Sequence, residues 1–85
     1  MDEELIEDII EFIDEVGDPS YRRKSGLYEY IEDAVQQTYN EMLTASKNGK
    51  DIKKVFQRHL NRLFDKFPDI EDTFGFEEAF WKAVE

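Results

Sequence analysis

The 85-residue sequence contains no cysteine, only two prolines and four isolated glycines. The absence of cysteine excludes disulfide bonds, thiolate zinc sites and a cysteine nucleophile. The scattered glycines leave no glycine-rich loop that would bind phosphate groups. Stability must therefore come from apolar packing or from oligomerisation, and a chain of this length supports one modest core. We expect a single domain over residues 1–85.

Long apolar runs are also missing, because no uninterrupted run exceeds three residues. A membrane span needs about 20 consecutive apolar residues, so we expect no membrane partner. The sequence starts with Met1-Asp2-Glu3-Glu4, whereas a secretory signal peptide starts with positive charge. These features predict a soluble, cytoplasmic protein.

What the sequence does contain is a helical pattern, because apolar residues recur at intervals of three and four. This spacing predicts helices at residues 2–16, 27–46, 51–67 and 76–84, with a loop at 17–26. Gly17 and Asn48-Gly49 are typical helix stops, and Asp51 is a typical N-cap. No segment alternates as a β-strand does. We predict an all-α fold, a compact three- to four-helix bundle.

Basic side chains are scarce, since 21 acidic residues stand against 11 basic ones and the formal charge is −10. The charge is unevenly distributed: residues 1–46 carry −10, residues 47–67 carry +5 and residues 68–85 carry −5. Such a protein is repelled by free nucleic acid and by anionic lipid, and it is attracted to basic proteins. We therefore expect a basic DNA-binding protein as partner, with no direct contact to nucleic acid.

The first predicted helix has no basic residue, and its positions outside the apolar stripe are all acidic. Like-charged pairs four residues apart, such as Glu7 and Glu11, destabilise a helix, which indicates a role beyond helix stability. Neighbouring carboxylates about 5–6 Å apart are spaced on the scale of backbone phosphates. The candidate partner-binding residues are Glu3, Glu4, Glu7, Asp8, Glu11, Asp14 and Glu15, which we call the acidic ridge, and a second acidic row of Glu29, Glu32 and Asp33.

The acidic ridge is also compatible with two simpler roles. It can keep a small protein soluble, or it can pair with the third predicted helix inside the bundle. That helix carries Lys53, Lys54, Arg58, Arg62 and Lys66. Its basic side chains pair within the chain, with a partner, or across a homodimer, and the sequence does not decide among these.

The residue types that carry chemistry form no recognisable site. The single histidine, His59, lies in an apolar stripe, where we expect a core-edge imidazole and not a catalyst. A calcium-binding loop that starts at Asp69 has Phe74 and Phe80 where a glycine and a bidentate acid are needed, so only loose divalent binding remains plausible. We predict no catalytic residue, no metal site and no cofactor, and hence no enzyme.

Four aromatic residues are not fully accounted for by the apolar stripes: Tyr28, Tyr30, Phe74 and Trp81. Residues of this kind either cap a small core or anchor a protein interface. Both roles remain open.

In size, acidity and helicity, with its acidic ridge and second acidic row, the chain resembles the small acidic proteins that bacteriophages use in host takeover. Some of those proteins mimic DNA and occupy the DNA-binding groove of a nucleoid-associated protein of the histone-like HU type, a nuclease or a polymerase. The resemblance implies a non-enzymatic inhibitor in the bacterial or host cytoplasm. It would block DNA binding by a basic protein.

The chain is also similar in length, charge and helix count to the immunity proteins that neutralise nuclease bacteriocins. Those proteins carry a paired-tyrosine signature beside an aspartate and a proline, and the segment Leu27-Tyr28-Glu29-Tyr30 does not match it. An immunity or antitoxin protein is therefore a second hypothesis. A small structural or regulatory domain with a merely solvated acidic face is a third.

Overall fold

The computed structural model describes residues 3–16, 26–71 and 73–85. Four α-helices lie in these ranges: α1 at Glu3–Val16, α2 at Leu27–Lys47, α3 at Ile52–Lys66 and α4 at Phe76–Val84. No strand occurs in the same ranges, so the predicted all-α bundle is confirmed. The predicted start of the first helix at Asp2, its stop at Gly17 and the predicted loop as far as residue 25 lie outside the described residues.

The helix boundaries follow local chemistry closely. Asp51 is the N-cap of α3, and its carboxylate accepts a hydrogen bond of 2.9 Å from the amide of Lys53. The helix ends one residue before the predicted limit, because Phe67 precedes a proline and leaves the helical conformation. A short 3₁₀ helix at Pro68–Ile70 was not predicted, since three residues show no apolar period.

The core is formed where all four helices meet. α2 packs against α3 and α1, while α1 packs mainly against α2 and α4. Phe56 stacks on Phe80 with 5.3 Å between ring centroids, and the Trp81 ring meets Phe56 edge-on at 5.0 Å. The buried apolar cluster consists of Ile6, Ile9, Ile13, Ile31, Val35, Phe56, Leu60, Leu63, Phe67, Ile70, Phe76, Phe80 and Val84.

The turn before α4 fixes this helix against α1. Gly75 has a φ of 94°, and a β-carbon there would lie 3.4 Å from the ring of Phe12. Any larger residue would be strained in its backbone by this positive φ, and its β-carbon would contact that ring. Phe12 also meets Phe76 edge-on at 6.1 Å, so the first residue of α4 is seated on α1.

The helices are amphipathic, including the longest one, α2, which has 21 residues. Its buried residues are Ile31, Val35, Thr38 and Ala45. The Thr38 hydroxyl donates to the carbonyl of Ala34 at 2.6 Å, so this buried polar group is satisfied. Among the helices of the described ranges, none has the length and apolar character required to cross a membrane.

Candidate protein-binding surface

The acidic ridge lies on the outer face of α1. Ile6, Ile9 and Ile13 are fully buried on the inner face, and the helical period therefore turns the intervening acids outward. Asp14 is half-buried. The exposed members are Glu3, Glu4, Glu7, Asp8, Glu11 and Glu15.

Most of the acidic ridge has no basic partner in the part of the chain that the structure describes. No hydrogen bond or ion pair to another described residue involves the carboxylates of Glu3, Glu7, Asp8, Glu11 or Glu15. The helix α1 packs mainly against α2 and α4, whereas the basic side chains are concentrated on α3. Within the described ranges, these five carboxylates therefore do not form ion pairs with α3, which was one of the simpler roles considered for the ridge.

The second acidic row lies beside one end of the acidic ridge, and Tyr28 marks the place where they meet. Glu29, Glu32 and Asp33 are exposed on the first two turns of α2, where they line a shallow hollow. Partial burial raises the pKa of the Tyr28 phenol, and the fields of four nearby carboxylates raise it further. These carboxylates belong to Glu3, Glu32, Glu7 and Glu29, so the fold brings acids of α1 and α2 together around one side chain.

The other edge of the acidic ridge borders α4 across a groove of about 310 Å³. Asp8, Glu11 and Glu15 line it from α1, and Glu78 lines it from α4. Lys82 also lies in the groove, and its ammonium group is 3.5 Å from the Glu78 carboxylate. The sequence did not single out Glu78, because acids in the first turn of a helix are usual and only the packing shows which face adjoins α1.

The basic face of α3 is only partly paired inside the chain. Arg58 forms an ion pair with Glu41 of α2, and the Lys66 ammonium lies 5.4 Å from the centre of the Tyr30 ring. No hydrogen bond or ion pair with another described residue involves the side chains of Lys54 and Arg62. In the described ranges, some basic side chains of α3 therefore have partners within the chain, whereas the side chains of Lys54 and Arg62 are available for contacts with another molecule.

His59 is buried between α2 and α3, deeper than the partly buried position at the core edge that the sequence predicted. Its side chain is 5% exposed, and Nε2 lies 2.9 Å from Oε2 of Glu41. This hydrogen bond is the largest cause that lowers the pKa of the Glu41 carboxyl, and Arg58 adds to the effect while partial burial opposes it. The three side chains join α2 to α3.

The four aromatic residues that the predicted apolar helix faces did not fully account for have different environments in the fold. Trp81 packs on Phe56, Tyr28 is half-buried against the core, and Tyr30 meets Phe67 edge-on at 6.0 Å. Phe74 is 97% exposed. Three of the four thus cover the core, and Phe74 does not.

Within the described ranges, no group of three or more histidine and acidic side chains is placed to hold a metal ion. Comparisons of the chain with known protein families, with curated proteins and with solved structures find no match.

Proposed function

We propose that this protein is a non-enzymatic inhibitor that binds a basic DNA-binding protein through its acidic surface and blocks the binding of DNA. We define the acidic surface as the acidic ridge, the second acidic row and Glu78. The observation that supports the proposal most is the ridge itself: five carboxylates are exposed on one helix and have no ion-pair partner among the described residues. The partner classes are those of the resemblance: a nucleoid protein of the HU type, a nuclease or a polymerase.

The spacing and the charge of the ridge fit a groove that normally holds DNA. The β-carbons of residues three and four apart on a helix lie about 5–6 Å from one another, so the carboxylates form a closely spaced row. Such a row suits lysine and arginine side chains that otherwise contact successive phosphates. These carboxylates repel each other in the free protein, so binding of cations relieves an unfavourable interaction. Net charge of opposite sign also accelerates association, and added salt weakens that steering.

Affinity capture tests the proposal. The immobilised protein is exposed to a bacterial lysate at low ionic strength, and we expect it to retain a basic DNA-binding protein that duplex DNA releases. Replacing Glu7, Glu11 and Glu15 by lysine should abolish retention, because the ridge then presents alternating charges. A control variant replaces Asp65, Asp69 and Glu85 by lysine. It has the same net charge, leaves the acidic surface intact and should retain the partner.

Two results would change the proposal. Equal retention by the ridge variant and the wild-type protein would contradict it and would leave the acidic ridge as a solvated face. Recovery of a nuclease toxin whose activity the protein neutralises without competing with DNA would favour the immunity-protein alternative instead.

A further inference from the structure

The most exposed apolar side chain of the described residues is Phe74, at 97%, whereas the other large exposed ones, Tyr30, Tyr39 and Leu43, lie between 41% and 44%. Phe74 lies in the turn between the 3₁₀ helix and α4, next to Gly75 with its positive φ. A fully solvated phenylalanine adds nothing to the core. Aromatic side chains are enriched at protein interfaces, where they act as anchors.

Acidic side chains flank this ring. Glu71 and Glu77 are exposed, and with Phe74 they border a surface cleft of about 480 Å³ whose other side is formed by Gln57 and Phe64 of α3. No hydrogen bond or ion pair to another described residue involves the side chains of Glu71 and Glu77. We call Glu71, Phe74 and Glu77 the aromatic-acidic patch.

A basic hollow of about 450 Å³ lies next to this patch on α3. It is lined by Lys54, Arg58 and Arg62, together with the polar residues Gln57 and Asn61 and one acid, Asp65. Lys54 and Arg62 have no ion-pair partner in the described ranges. Gln57 lines both the cleft and the hollow, so the two surfaces adjoin on one side of the molecule.

We propose that two copies of this chain form a symmetric dimer in which Phe74 of each copy packs into the basic hollow of the other. A two-fold interface requires that a patch and its complement lie side by side on one chain, and the aromatic-acidic patch and the basic hollow meet this requirement at Gln57. A guanidinium group and lysine methylenes are good partners for an aromatic ring. The flanking carboxylates of Glu71 and Glu77 would then face Lys54 and Arg62 of the second copy.

The dimer does not depend on the proposed function, because it uses neither the acidic ridge nor the second acidic row; of the acidic surface, only Glu78 borders the cleft beside Phe74. Charge reversal at Glu7, Glu11 and Glu15 should therefore leave the dimer intact. A chain that stays monomeric would contradict the dimer without affecting the inhibitor proposal, and a chain that captures no DNA-binding protein would contradict the inhibitor proposal without affecting the dimer.

Sedimentation equilibrium of the full chain at physiological ionic strength, from micromolar to millimolar concentration, tests the dimer. We expect a monomer–dimer equilibrium, because at this ionic strength the repulsion between two chains of charge −10 is largely screened while the shorter contacts of the interface are screened less. Phe74→Ala should raise the dimer Kd about tenfold or more, as loss of an interface anchor does. Leu43→Ala removes a partly exposed apolar side chain on α2, outside the proposed interface, and should leave the Kd unchanged.

A charge exchange gives a second test that does not involve Phe74. A Lys54→Glu, Arg62→Glu variant and a Glu71→Lys, Glu77→Lys variant should each be monomeric, because like charges would face each other. Their equimolar mixture should dimerise, because both contacts of the two-fold interface again join opposite charges. Circular dichroism checks that each variant keeps its helix content. A wild-type chain that stays monomeric up to millimolar concentration, an unchanged Kd in Phe74→Ala, or a mixture that stays monomeric would each overturn the proposal.

Discussion

Reversing one charge in the middle of the acidic ridge should stabilise the protein. Glu7 lies four residues from Glu3 and from Glu11, and all three carboxylates are exposed and have no ion-pair partner among the described residues. At this four-residue spacing, Glu7→Lys removes two like-charged pairs and creates two opposite-charged pairs. It also removes one of the carboxylates that act on Tyr28.

The expected size of this effect follows from helix pair energies. Each like-charged pair at this spacing costs about 0.2–0.5 kcal/mol, and each opposite-charged pair contributes a similar amount. The free energy of unfolding should therefore rise by about 1–2 kcal/mol at low salt, which corresponds to roughly 4–16 °C in the melting temperature of a domain of this size. Glu7→Gln removes the repulsion only, so it should give about half of the increase.

Urea denaturation followed by circular dichroism at low and high salt measures this effect. The stabilisation should shrink at high salt, because screening weakens interactions between exposed charges. Glu71→Lys makes the same change of net charge away from the ridge and outside the α-helices, and it should have a much smaller effect. A decrease in stability for Glu7→Lys, or an increase that salt leaves unchanged, would refute the reasoning that these carboxylates repel each other in the free protein.

Three further predictions concern single side chains. Glu41→Ala should lower the free energy of unfolding by about 1 kcal/mol near neutral pH, because it removes the hydrogen bond to buried His59. The pKa of Glu41 lies below its ordinary 4.5 in the folded protein, so the stability difference between wild type and variant should narrow as the pH falls through the folded pKa. Urea denaturation measures this difference, and a difference that does not change with pH would contradict the prediction. The pKa of the Tyr28 phenol should lie above its ordinary 10.0 and should be lower in Glu7→Gln, as measured by phenolate absorbance against a Tyr28→Phe reference. Because the folded state favours the neutral phenol, its contribution to stability should be complete below pH 10.0 and should be lost as the pH rises from 10.0 through the folded pKa. Asp51→Ala should lower the free energy of unfolding by about 1 kcal/mol, because α3 loses its N-cap, whereas Asp51→Asn should have almost no effect. Thermal denaturation compares the two variants, and equal losses of stability would argue against the cap.

The helices were predictable because each buries a regular apolar face. Ile6, Ile9 and Ile13 on α1 follow the spacing that a single buried face requires, and α4 has the predicted bounds of 76–84. The cap at Asp51 was predictable as well, because capping depends on residues next to one another in sequence.

Features that depend on contacts between helices were not predictable. The pairing of Glu41 with His59 joins residues 18 positions apart, and no local pattern indicates it. Glu78 was missed because only the packing of α4 on α1 places it beside the acidic ridge. Phe74 was named together with three other aromatic residues, and only the folded chain shows that it alone among these stays outside the core.

The most direct test of the proposed inhibitor is a side-by-side capture experiment with DNA elution. Wild-type protein and the variant with lysine at positions 7, 11 and 15 are immobilised at equal density and exposed to the same bacterial lysate. The proposal predicts a basic DNA-binding protein that is retained by the wild type, is absent from the variant and is released by duplex DNA. Retention of the same proteins on both surfaces, or retention on the wild type alone that duplex DNA does not reverse, would contradict it.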